Sequence, residues 1–94
     1  MPAALPDDVT PYKSTPMFDA TSVPKGLLAE HRTKAGTWGR LEVHSGSLTL
    51  RFADEDVLCD PEHPGIIPPT VPHEVVLSGP VRFCVVFLRA ADAS

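Results

Sequence analysis

Two histidines can share a common ion, and stiff backbone aims one of them. His73 follows Pro68, Pro69 and Pro72 and opens a strand, and His31 begins the run His31-Arg-Thr-Lys-Ala-Gly-Thr-Trp-Gly-Arg40. Proline fixes its own φ and drives the preceding residue into extended geometry, so the three prolines set the direction from which His73 enters its strand. Imidazole suits zinc, iron, nickel, copper and manganese, and two rings on facing strands supply half of a metal site. On the residues alone, rings that satisfy local hydrogen bonds at the mouth of a barrel are the simpler reading.

Other chemistry-bearing residues are weighed in the same way. Lys34, Trp38 and Arg40 place cations beside an aromatic plane, a set that can hold an anion or a planar ligand; a loop pinned by Trp38 with both cations in solvent explains them as well. Phe83, Val85 and Phe87 share one strand face, where with Leu50 they pack a core or line a pocket. Glu42 and His44 alternate with Leu41 and Val43. If the apolar pair faces inward, the polar pair faces out, and a register slip of one residue would reverse that. His63, between Glu62 and Pro64, reads as solvated, and Glu74 should point away from the face that His73 uses. Cys59 and Cys84 form no CxxC pair and read as reduced thiols, Cys84 packed within a sheet. No Ser-His-Asp order, phosphate loop, paired carboxylates or zinc-finger spacing is present.

The elements that must position these groups are strands. Eleven prolines and six glycines in 94 residues leave little room for a long helix. Residues 1–18 read as an extended arm anchored by Tyr12 and Phe18 on a single domain spanning 1–94. Gly26 to His31 suggests a short strand, and Thr33 to Gly39 a loop. Arg40–His44 and Ser47–Phe52 both alternate with period two about Ser45-Gly46, which predicts a hairpin. Asp54-Glu-Asp56 is an acidic turn, and Val57-Leu58 extends briefly before Asp60-Pro61. His73–Leu77 and Val81–Leu88 form a final pair about Ser78-Gly79-Pro80. Short strands with Gly/Pro punctuation indicate an all-β sandwich or barrel.

A net charge of −4 with no basic stripe argues against nucleic acid as a partner. No apolar run approaches the roughly 20 residues of a membrane span, and the first residues lack a secretory pattern, so a soluble cytoplasmic protein is expected. Val76, Val86 and Leu88 lie opposite the inner face, which suggests a homodimer paired through its outer sheet surface.

The hairpin run LEVHSGSLTL, the IPPTVPH turn and the VRFCVVF strand resemble a small cupin. Tyr12–Phe18, Val23-Pro24, HRTKAGTWGR at 31–40, Pro68–His73 and Gly79–Phe83 resemble more closely the tellurite-resistance-protein-B/YeaR-like (TehB/YeaR-like) domain family. The resemblance implies a double-stranded β-helix, a small jelly-roll barrel whose interior holds a divalent metal: zinc, iron, nickel or manganese. It favours His31 and His73 as shared ligands. Two departures stand out: the glutamate ligand of the broad cupin pattern falls on Gly39, and the glycine three residues before the second-motif histidine is Thr70. In some proteins such a domain precedes a methyltransferase implicated in tellurite resistance. That enzyme needs a glycine-rich cofactor domain of its own, so methylation is not carried over. The expectation is a metal-binding, small-molecule-binding cupin domain of undefined substrate, with a metal-dependent enzyme or a metal-free assembly module as alternatives. Its ligand would meet Lys34, Trp38, Arg40, Phe83 and Phe87.

Overall fold

The computed structural model describes residues 5–6, 8–28 and 33–90. Their strands are β1 (Val9–Ser14), β2 (Phe18–Asp19), β3 (Trp38–Phe52), β4 (Asp56–Cys59), β5 (Gly65–Ile67) and β6 (His73–Ala90), with one helical turn, α1 (Lys25–Leu28). The sheet runs β1-β6-β3-β4, with β2 on β6 and β5 on β3. The all-β expectation holds. No helix among the described residues is long and apolar enough to cross a membrane.

Two strands make most of this fold. Neither Ser45-Gly46 nor Ser78-Gly79-Pro80 is a hairpin turn, contrary to the sequence reading: each lies inside one long strand, β3 or β6. These pair antiparallel from Trp38 opposite Leu88 to Phe52 opposite His73. The register shifts twice, between Val43 and Ser45 and between Gly46 and Leu48. The first shift leaves His44 as an extra residue on β3. At the second, Ser78-Gly79-Pro80 bulge out of β6 opposite Ser47. Bulges bend strands and raise twist, and proline is tolerated there because the ladder is already interrupted. Gly46 makes the bend possible: its φ is +76°, and a side chain there would run into the Pro80 carbonyl oxygen.

The bent pair folds around one apolar core. Leu41, Val43, Leu48 and Leu50 from β3 meet Val75, Val81, Phe83 and Val85 from β6, with Cys59 and Ile67 closing the sides. Phe83, Leu41, Leu48 and Leu50 are wholly buried. Truncating one such side chain to alanine costs about 2–5 kcal/mol.

The arm is part of the sheet, with β1 and β2 both laddered to β6. Phe18 anchors it as expected, edge to face on Phe83 with centroids 5.8 Å apart. Tyr12 instead stays at the surface, stacked on the Arg89 guanidinium 4.4 Å from its ring centre. Beyond β2, the Asp19 carboxylate accepts bonds from the Thr21 and Ser22 amides and the Thr21 hydroxyl, which hold its pKa down at about 2. The strand expected over Gly26–His31 is replaced at its start by α1, which begins directly after Pro24. The rest of that stretch lies outside the described residues.

Gly46→Ala should lower stability by more than about 2 kcal/mol, since a left-handed backbone penalty adds to the clash. A urea midpoint unchanged from wild type would contradict the bent-strand geometry.

Candidate functional site

Alternation along β3 sorts its residues onto two faces, as the sequence suggested. Leu41 and Val43 are buried, whereas Arg40 and Glu42 are half-exposed and His44 is exposed. Glu42 lies opposite Cys84 and Arg40 opposite Val86. Directly paired residues share a face, so Cys84 stands on the outer surface beside Glu42. It is half-buried, not enclosed in the sheet as expected. The extra residue at the bulge is His44, and its Nε2 lies 4.0 Å from Cys84 Sγ. One carboxylate oxygen of Glu42, a ring nitrogen of His44 and the Cys84 sulfur all fall within 4.8 Å of one another.

Glu42 and His44 line a cavity of about 450 Å³ together with Arg40, Asp60 and Pro64. Arg40 Nε donates to Glu42 Oε2 at 2.6 Å. Asp60 is held by His63 Nδ1 at 2.8 Å, a bond that lowers its pKa. His63 is otherwise solvated, as expected. The Cys84 thiol is pushed up by burial and by Glu42, with Arg40 opposing. Burial, helped by the Asp60 charge, pushes Cys59 up to about 11.

The inner face presents a different chemistry. His73 is only 2% exposed and is the one buried polar side chain among the described residues. Its Nδ1 lies 2.9 Å from the Val71 carbonyl oxygen. A carbonyl can only accept, so Nδ1 carries the proton and the lone pair sits on Nε2. Burial lowers its pKa and keeps the ring neutral. Phe52 packs beside it with ring centres 6.3 Å apart. At this end a cavity of about 270 Å³ is lined by His73, Phe52, Arg51, Pro72 and Glu74. Glu74 points away from the His73 face, as expected, and pairs with Arg51 at 3.7 Å.

The structure brings some sequence candidates together and separates others. His31 lies outside the described residues. Phe83 is in the core and Phe87 packs against it, while Arg40 and Trp38 belong to the opposite sheet face and Lys34 is exposed in the loop. The five residues read as one ligand-binding set are therefore divided by the sheet. Gly39, at the glutamate position, faces Ile67, whose Cβ would lie 3.3 Å from a side chain built there. Leu88 is buried in the single chain, and Val76 and Val86 are half-buried.

Thr70 adopts φ +64°, at the position where the related pattern carries glycine. Its amide reaches the Thr33 carbonyl at 3.2 Å and ties the loop to the turn that aims His73. A β-branched residue in this region is strained.

The grouping of Glu42, His44 and Cys84 was missed because alternation places Glu42 and His44 outside without saying which β6 residue lies opposite. The signal was the odd spacing from Val43 to Leu48, which fits either a hairpin or a bulge.

A TehB-like domain model matches residues 13–85. No curated protein matched. Among solved structures, TehB from Haemophilus influenzae is 26% identical with a TM-score of 0.81, covering 89% of this chain and 32% of its own length. The chain thus spans about a third of that protein. A protein from Escherichia coli strain K12 is 22% identical over 96% of this chain and 99% of its own, with a TM-score of 0.84. A cupin-2 domain containing protein from Shewanella frigidimarina NCIMB 400 is 15% identical over 88% and 72%, with a TM-score of 0.61. The last two establish the cupin-like fold.

Two outcomes follow. Thr70→Gly should raise stability by about 0.5–1 kcal/mol, relief of left-handed strain exceeding the entropy glycine adds to the unfolded chain; a loss of stability would contradict it. In native protein a thiol reagent should label Cys84 and reach Cys59 only after unfolding. Labelling of both at similar rates would refute the assigned faces.

Proposed function

Because the chain belongs to the TehB-like domain family, whose model covers most of its length, we propose that it is a metal-binding, small-molecule-binding cupin domain, with His73 as an interior ligand and His31 as its partner. The observation that carries this reading is the His73 imidazole itself: buried, neutral, and fixed by Nδ1 to the Val71 carbonyl. A ligating histidine typically anchors its other nitrogen in this way, which sets both tautomer and ring orientation. The buried imidazole of His73 supports ligation, and Gly39, where the broad cupin pattern has its glutamate, brings no side chain to the interior. A metal held by two imidazoles would supply Lewis acidity toward an oxygen-bearing ligand.

The chain's own residues do the rest. The Pro72 turn and the Thr33–Thr70 tie orient His73, Phe52 shields its ring, and Arg51 with Glu74 borders the opening. Arg51 can meet an anionic small molecule there, although Asp56 and Glu74 compete for it. A part in the response to tellurite or a related stress is proposed on the family resemblance alone.

Metal content measured by mass spectrometry tests the site. After saturation and desalting, His73→Asn should hold one equivalent less than wild type, whatever else the protein binds. His31→Ala should match it, with unchanged circular dichroism. Equal metal in wild type and both variants, or none in wild type, would end the proposal.

A further inference from the structure

The outer face of the sheet carries a group that the interior reading leaves unused. We infer that Glu42, His44 and Cys84 form a second site, on the outer surface, that binds a zinc-class divalent cation.

Carboxylate, imidazole and thiolate are the three donor types zinc takes from proteins, and soft thiolate selects for that class over magnesium or calcium. In a tetrahedral site with metal–ligand bonds of roughly 2.0–2.3 Å, donors stand about 3.5 Å apart. The three here already lie within 4.8 Å of one another, so small side-chain rotations close the set. The backbone supports the group from two directions. The register pairs Glu42 with Cys84, and the bulge lifts His44 out of the ladder so that its Nε2 approaches Sγ. Bulges commonly re-aim side chains at functional sites.

Arg40 acts on the carboxylate as an outer-sphere partner. Its Nε donates to Oε2 at 2.6 Å and steadies the plane of the carboxylate; hydrogen bonds of this kind orient the groups that ligate a metal. Three protein donors leave a fourth position of a tetrahedral ion for water or a small molecule, and two of the donors, Glu42 and His44, line the cavity that Asp60 and Pro64 border. This site lies on the face opposite His73 and does not depend on the interior reading.

Cobalt(II) titration of the full chain is the test, because thiolate ligation gives a near-ultraviolet charge-transfer band that zinc displaces. Wild type should develop the band and lose it on adding zinc. Cys84→Ser should abolish it, His44→Ala should weaken cobalt binding at least about 100-fold and Glu42→Gln at least about 10-fold, while His73→Asn should retain it. Zinc should also protect Cys84 from alkylation in unmodified protein, a readout that needs no variant to fold. Absence of the band in wild type, its persistence in Cys84→Ser, its loss in His73→Asn, or equal alkylation of Cys84 with and without zinc would each overturn the site.

Discussion

Everything in this molecule depends on how β3 and β6 stay paired through the bend at Gly46. Two strands of 15 and 18 residues cannot wrap a core this small if they remain straight. The pairing is therefore interrupted twice, at His44 on β3 and at Ser78-Gly79-Pro80 on β6, and these interruptions concentrate the twist. Gly46 takes the left-handed conformation that the path demands, close against Pro80 and Val81. Above and below the bend the ladder resumes in a shifted register, so each half of β3 meets a different part of β6. The apolar residues of both halves return to one interior.

That geometry creates two environments separated by the thickness of a sheet. The interior is an apolar cluster, and His73 is the buried polar side chain among the described residues. There, burial decides ionisation: His73 stays neutral, and the Cys59 thiol is held far from ionising. The outer surface is wetter and charged, and its groups act on one another. Arg40 and Glu42 pull the Cys84 thiol in opposite directions, and their mutual bond is half-exposed. An exposed pair of this kind contributes little to stability, about 0–1 kcal/mol, so its structural consequence is orientation of the Glu42 carboxylate.

The sequence made one class of fact legible and hid another. Period-two alternation correctly sorted Leu41, Val43, Leu48, Leu50, Phe83 and Val85 inward and Glu42 and His44 outward, because side-chain direction depends only on local backbone. Connectivity was not local. From Val43 to Leu48 the apolar phase changes by an odd step, and a two-residue turn produces the same step as a one-residue bulge. Ser45-Gly46 therefore looked like a hairpin, and β3 was read as two strands. With the partner of each half misplaced, the neighbours of Cys84 stay hidden; its expected burial rests instead on the usual state of a small mid-strand thiol. Family resemblance anticipated the fold and pointed to Thr70 and Gly39 as departures. Each departure has a physical form, a left-handed φ at Thr70 and a close approach of Ile67 at Gly39.

The central claim, that β3 and β6 are two continuous bent strands whose register puts Glu42 beside Cys84, is open to a single solution measurement. Cross-strand nuclear Overhauser contacts in isotopically labelled protein report directly which backbones lie side by side. The account predicts contacts linking Glu42 with Cys84 and Arg51 with Glu74. Contacts linking His44 with Ser47 and Glu42 with Thr49, as a tight hairpin about Ser45-Gly46 would give, would contradict it.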